Sequence, residues 1–232
     1  FNADQLKELR YAAVLHDFGK VGVREQVLLK ARKLYQPQLE LIKSRFDFIK
    51  RTLEVDTLRR KLEVHETKGG GKKQTLLTQL DRQLAQQMKE VDEMFSFILK
   101  CNQPSPRSLA PFGKLKEIAH LEYHAYDGPR PFLTEEEVGA LSVLQGTLTK
   151  SERKEIEQHV NHTFEFLSKI PWTRSLKNVP SIAWSHHEKL DGSGYPRGLS
   201  QDQIPLEARM MTICDIYDAL TALDRPYKAA VP

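Results

Sequence analysis

The stretch HHEKLDGSGYPRGL, residues 186 to 199, sets two adjacent imidazoles and a glutamate directly before an acidic, glycine-rich turn. Imidazole nitrogens and carboxylate oxygens bind hard and borderline metal ions, and the chain offers them in four places: His16 with Asp17, His159, His186 with His187, and Asp215. Neighbouring residues of a helix point roughly 100° apart, so His16 and Asp17 cannot grip one small ion symmetrically. A carboxylate shared between two ions removes that difficulty. Histidine nitrogens and carboxylate oxygens without a thiolate favour iron, manganese or a similar ion over a cysteine-type structural zinc. Two such ions, about 3.5 to 4 Å apart, can hold a bridging hydroxide and polarise a phosphoryl group. Each piece alone has a plainer reading. A single His-Asp pair is more often a surface feature or a structural hydrogen bond, and His65, His120, His124 and His162 show how common lone histidines are here. His120 and His124 stand four apart with nothing nearby to complete a site, so they read as structural or solvated.

The elements that must carry these groups are helical. Sustained alternation of apolar and polar residues is almost absent, whereas apolar residues recur at three- and four-residue spacing nearly everywhere, which predicts an all-α fold. Leu39, Ile42, Phe46, Ile49 and Leu53 form one such run, continued after a slip by Leu58 and Leu62; Leu76, Leu80, Leu84, Met88, Val91, Phe95 and Ile98 form another. Between them lies KGGGKK, residues 68 to 73, which a helix interior would not choose because each glycine costs about 1 kcal/mol relative to alanine. Two long helices folded back as an antiparallel hairpin are expected, followed by a proline-rich linker over 101–113. Downstream, a helix opening near Thr149 or Ser151 carries His159, and a second, started through Pro180, carries His186 and His187 and runs to Gly192 and Gly194. A third over 206–223 carries Asp215, its apolar face formed by Met210, Ile213, Ile216 and Leu220.

With 40% apolar residues over 232 positions the chain can bury a real core as one large or two small domains. No apolar run is long enough to span a bilayer, and residues 1–10 lack the apolar block of a signal peptide, so a cytoplasmic location is expected. Cys101 and Cys214 are too few for a disulfide framework, in keeping with a reducing compartment. The net charge of +4 does not call for a nucleic-acid polymer as partner and suits a small anionic ligand.

Four pieces, HDFGKVGV, HHEKLDGSGYPRGL, IPLEARMMTICDIYDAL and RPYK, occur in the order and context of one family. Over residues 3–30 and 146–230 the chain resembles the HD-GYP domain, a bacterial branch of the HD metal-dependent phosphohydrolases. The resemblance implies an HD-type all-helical bundle with two or three metal ions, commonly iron or manganese. It also implies hydrolysis of cyclic di-GMP to pGpG, and onward to GMP, by a metal-bridging hydroxide. Position by position it makes His16, Asp17, His159, His186, His187 and Asp215 metal ligands, Asp17 bridging. Lys20 would meet the scissile phosphate, with Arg225 and Lys228 as further phosphate contacts. Residues 191 to 196 become the signature loop, in which Tyr195 either stiffens the corner or touches a ligand or partner. Arg209 could equally form an internal ion pair.

The chain departs from this family in several ways. VLLK and GTLT, nearly continuous in the family, are here separated by more than a hundred residues. The expected organisation is therefore a catalytic domain of residues 1–30 and 146–232, interrupted by an inserted region, 31–145, that contains the hairpin at about 38–100. The ends of the insertion must lie close together. One residue more than usual separates Asp215 from Arg225, and no histidine precedes His16 although the family draws further ligands from upstream helices. A fragment of a longer protein is expected. Three functions follow: a cyclic-di-GMP phosphodiesterase, a non-catalytic signalling or docking module that keeps the fold, or a phosphohydrolase for another nucleotide. Leu76, Leu77, Phe95, Phe97 and Ile98 offer more apolar surface than one hairpin seam needs. That surplus either packs back on the catalytic core or makes the hairpin, like the Gly-Tyr-Pro loop, a surface for a second copy or a protein partner.

Overall fold

The computed structural model describes residues 1–66, 73–104 and 112–221, so the glycine turn, most of the proline-rich linker, Arg225 and Lys228 lie outside the described residues. The chain divides into two compact units, residues 1–31 with 150–232, and residues 32–149.

The first unit begins with helix α1 (Ala3–Leu15), started by a capping box in which Asn2 and Gln5 exchange side-chain to backbone bonds of 2.9 and 3.0 Å. A short 3-10 turn (Phe18–Gly22) and α2 (Glu25–Leu28) follow. The chain returns to this unit in α7 (Lys150–Glu157), α8 (His159–Leu167), α9 (Val179–Ala183) and α10 (Leu206–Thr221). Ala12, Leu167, Val179, Ile182, Ala208 and Met211 form the heart of its core. The buried Glu8 of α1 is satisfied by Asn178, whose backbone and side-chain nitrogens donate to it at 2.9 and 3.1 Å, so α1 is latched to the start of α9. Lys30 and Glu152 form a buried ion pair with both carboxylate oxygens 2.7 Å from the ammonium nitrogen. Arg24 grips Glu155 at 2.8 and 2.6 Å beside it. These pairs hold the point where the chain leaves the unit next to the point where it returns.

The second unit is built on α3 (Gln36–Glu66) and α4 (Lys73–Cys101). Lys61 pairs with Asp81 and Lys50 with Asp92; eleven residues back along α3 correspond to eleven forward along α4, the mark of an antiparallel pair. Ile42, Phe46 and Ile49 of α3 and Val91 and Ile98 of α4 are buried in the seam, as their spacing predicts. Leu58 and Leu62 are not: they stand about 60% exposed, because the slip turns them out of the seam. The hairpin does not stand alone. Helix α5 (Phe112–His120), strands β1 (Glu122–Ala125) and β2 (Gly128–Pro131), and α6 (Glu135–Leu141) complete a common core through Leu115, Ile118, Leu133 and Leu141. Arg45 of α3 forks onto Glu137 of α6 at 2.7 and 3.0 Å, and Glu137 also closes a capping box with Thr134. Phe95, Phe97 and Ile98, the surplus noted in the sequence, are taken up by this core, while Leu76 stays exposed. The two-stranded hairpin was not foreseen; its strands are too short for visible alternation, and its signal is the Asp127-Gly128 turn.

Two helices of the first unit differ from expectation. The helix meant to carry His186 and His187 ends at Ala183, and the one meant to run through His159 breaks at Gln158. The apolar face assigned to α10 is open rather than buried, with Ile213 69% and Ile216 52% exposed; α10 packs instead through Ala208 and Met211, where a small side chain allows close approach. Among the described residues no helix is long and apolar enough to cross a membrane.

Candidate metal centre

Three histidines from three segments make the same local bond. The Nδ1 of His16 lies 2.8 Å from the Ala13 carbonyl, that of His159 2.6 Å from Ile156, and that of His186 2.6 Å from Ala183. A carbonyl only accepts, so each Nδ1 carries a proton and each Nε2 is left to face the cluster, where loss of any proton on it frees a lone pair for a metal. Each ring also occupies the carbonyl that a continuing helix would offer to the next residue's N–H. Accordingly α1 ends at Leu15 and α7 and α8 part at Gln158, while α9 has already ended at Ala183, where the Ser185 N–H turns to the Ile182 carbonyl and its hydroxyl takes that of Ser181. This is why the predicted helices stop short.

The three Nε2 atoms and Asp17 Oδ1 are buried without a hydrogen-bond partner. They face one another. His16 Nε2 is 3.3 Å from Asp17 Oδ2 and 3.8 Å from Asp215 Oδ1, and His159 Nε2 is 3.3 Å from Asp17 Oδ1. Donor atoms from His159, His186 and His187, and from His16, Asp17 and His186, form two groups whose members lie within 4.8 Å of one another. Lone pairs turned toward lone pairs require a cation between them. Separations near 3.3 Å suit neighbouring donors each about 2.1 Å from one ion. The residues therefore fit a divalent metal centre, and Asp17, with one oxygen toward each group, stands where a shared carboxylate would.

The electrostatics agree. Burial would lower the His16 pKa, but the adjoining Asp17 and Asp215 carboxylates outweigh it and raise the ring to about 10, so a proton on this ring supplies the positive charge that the carboxylates favour and that a metal ion would replace. Burial would likewise raise Asp17, yet His159, His16 and Lys20 hold it far below the usual carboxylate range. Burial, with the surrounding rings, pushes His186 down to about 4 and His187 down to about 3, so both stay neutral donors. Lys20 sits at the rim, its Nζ 2.5 Å from Asp17 Oδ2.

The signature loop is fastened under this cluster by Glu188, whose buried carboxylate accepts the backbone N–H groups of Arg197 and Leu199, both at 2.8 Å. Arg197 lies 4.1 Å above the Trp184 ring and donates to Ser185 at 2.6 Å. A Cβ on Gly194 would come within 2.3 Å of the Lys189 nitrogen, so only glycine permits this approach. The loop thereby lays Tyr195 flat against His187, ring centres 4.8 Å apart. Burial first, then nearby carboxylates, push the Tyr195 phenol upward, which keeps it a neutral hydroxyl.

Residues 136–232 match the HD domain family. A protein of Vibrio cholerae named a 3′3′-cGAMP-specific phosphodiesterase is 44% identical over 87 residues, 38% of this chain and 18% of its own length. A cyclic di-GMP phosphodiesterase of Pseudomonas aeruginosa is 43% identical over 83 residues, 36% of this chain and 19% of its own. The cyclic di-GMP phosphodiesterase response regulator RpfG of Xanthomonas campestris is 44% identical over 85 residues, 37% and 22% of the two chains. Over this region the chain is thus similar to the HD domain family and to these cyclic-dinucleotide phosphodiesterases. It spans about a fifth of the length of these curated relatives. An HD domain implies a divalent metal, and the His/Asp cluster is where this domain would hold it.

The structure brings together His16, Asp17, Lys20, His159, His186, His187 and Asp215, with Tyr195 beside them. Among the described residues Arg209 makes no ion pair; its guanidinium donates to the carbonyls of Ile204 and Gln201. His120 bonds the Lys116 carbonyl of its own helix. Glu188, visible in the sequence only as the third letter after two histidines, was not singled out because nothing local shows that its partners come nine and eleven residues later.

Proposed function

We propose that this domain is of the HD-GYP type and forms the catalytic part of a metal-dependent phosphodiesterase that hydrolyses cyclic di-GMP to pGpG, and onward to GMP. The observation that carries the reading is the convergence of three buried Nε2 atoms without a hydrogen-bond partner around the carboxylate of Asp17. His16, Asp17, His159, His186, His187 and Asp215 would hold two or three ions, iron or manganese by the nitrogen and oxygen character of the set. Such ions supply the Lewis acidity that activates water and polarises the phosphoryl oxygens. Asp17 keeps the two donor groups in register, and Lys20 sets a positive charge at the rim, where it would meet the non-bridging oxygens of the scissile phosphate. Arg225 and Lys228 are proposed as further phosphate contacts. Tyr195 shields one face of His187 from water and can offer its hydroxyl to the nucleotide. Hydrolysis adds water across the P–O3′ bond, the departing oxygen taking the proton.

Relatives named as 3′3′-cGAMP-specific phosphodiesterases point to one rival substrate, 3′3′-cGAMP. Incubating the manganese- or iron-loaded chain with each dinucleotide separates the readings. Linear products from cyclic di-GMP support the first, and turnover of 3′3′-cGAMP alone the second. Nucleotide binding without turnover would make the chain a signalling or docking module. The region 31–145 is proposed as an insertion outside the chemistry, with its hairpin, like the Gly-Tyr-Pro loop, open to a second copy or a protein partner, and the site of action as the bacterial cytoplasm.

A further inference from the structure

The donors of the cluster come from four chain segments, and two threonine hydroxyls tie these segments together in pairs. Thr163, one turn after His159 on α8, is fully buried; its hydroxyl donates to the His16 carbonyl at 2.9 Å and accepts the Gly19 N–H at 2.8 Å. Gly19 packs directly on that helix, since a Cβ there would lie 2.0 Å from the His159 carbonyl oxygen. Thr212, three residues before Asp215 on α10, places its hydroxyl 2.7 Å from the His186 carbonyl and 2.9 Å from that of Ala208. His16 directly follows the last residue of α1 and His186 lies three residues beyond the end of α9, so neither carbonyl has an intrahelical partner. Each threonine thus takes the carbonyl of a cluster histidine as its own acceptor and joins that histidine's segment to the helix bearing another donor. One latch joins His16 and Asp17 to His159; the other joins His186 and His187 to Asp215.

We propose that Thr163 and Thr212 are positioning residues of the metal centre, holding its four segments at metal-binding distance without touching the ion. The inference rests on reading the cluster as a metal centre. Outer partners that orient ligands change metal affinity by about 10- to 100-fold when removed.

The test uses the full chain, stripped of metal and titrated with manganese(II) by the electron paramagnetic resonance signal of the free ion. The visible spectrum of the cobalt(II) form provides a second readout. Thr163→Val and Thr212→Val keep the shape and remove the hydroxyl; Thr163→Ser and Thr212→Ser keep it. Thr221→Val is the control, because among the described residues the Thr221 hydroxyl bonds the Tyr217 carbonyl on its own helix and no cluster segment. Each valine variant should bind manganese about tenfold more weakly and alter the cobalt spectrum, while the serine variants and the control stay within about twofold of the parent. Parent-like affinity in a valine variant, or an equal loss in its serine counterpart, would overturn the proposal. If Thr163→Val fails to fold, the half-buried Thr212 decides by the same comparison. A parent chain that takes up no manganese would instead overturn the metal-centre reading itself.

Discussion

Asp17 presents its two carboxylate oxygens to different neighbours, Oδ1 to His159 and Oδ2 to His16 and Lys20. His186 belongs to both donor groups through a single nitrogen, whereas Asp17 turns a separate oxygen toward each, so Asp17→Ala should abolish metal loading and hydrolysis together. Elemental analysis of the purified variant checks this, and full occupancy with normal turnover would remove Asp17 from the centre. Lys20 contributes charge and no lone pair while protonated. Lys20→Ala should therefore keep its metal and lose turnover of cyclic di-GMP, and a variant that came out metal-free would reassign Lys20 to holding Asp17. Glu188 works on the loop. Its carboxylate accepts two backbone N–H groups in a buried place, and a glutamine there turns one acceptor into a donor facing a donor. Glu188→Gln should cost about 1 to 3 kcal/mol of stability, measured by urea unfolding, with unchanged unfolding as the outcome against the clasp.

At the scale of elements, the buried pair Lys30–Glu152 and the exposed pair Arg24–Glu155 hold the two ends of the first unit's chain break side by side. All cluster donors among the described residues come from that unit. Replacing residues 32–149 by a short glycine-serine linker should thus leave a folded chain that still binds manganese with parent-like affinity, checked by titration. Failure of the soluble deletion to bind would show that the second unit supports the site. Removing only 38–100 is the wrong cut, because it would strip Ile42, Phe46, Ile49, Val91 and Ile98 from a core that Leu115 and Leu133 share. The seam of α3 and α4 was legible because burial on one face imposes a three- and four-residue period. Helix ends at the cluster were not, because a histidine whose ring bonds its own helix is spelled like any other. The covered face of α10 escaped for a related reason: periodicity marks where apolar residues lie, not which neighbour approaches, and here the approach falls on Ala208. The HD pair, the double histidine and the glycine-rich loop were readable as a set, whereas Thr163, Thr212 and Glu188 act on backbone atoms, which carry no letter.

For the molecule as a whole, the cluster gathers groups that the unfolded chain scatters between positions 16 and 215. An ion that binds this arrangement and not the unfolded chain stabilises the first unit by mass action, about 2.7 kcal/mol when present at a hundred times its dissociation constant. For a unit of this size that is a rise in unfolding temperature on the order of 10 °C. Both tryptophans, Trp172 and Trp184, belong to the first unit, so intrinsic tryptophan fluorescence reports its unfolding and not that of the hairpin unit. Trp184 is the better reporter, stacked on Phe164 with ring centres 3.9 Å apart and followed closely in sequence by His186 and His187. Melting followed by tryptophan emission should shift downward when a chelator removes the metal and recover when manganese returns. Circular dichroism, dominated in the second unit by the long pair α3 and α4, should retain a transition that the chelator leaves unmoved. The Asp17→Ala chain should melt at one temperature with or without manganese. A parent chain whose tryptophan transition ignores both chelator and manganese would mean that the buried Nε2 atoms hold no ion in the folded state.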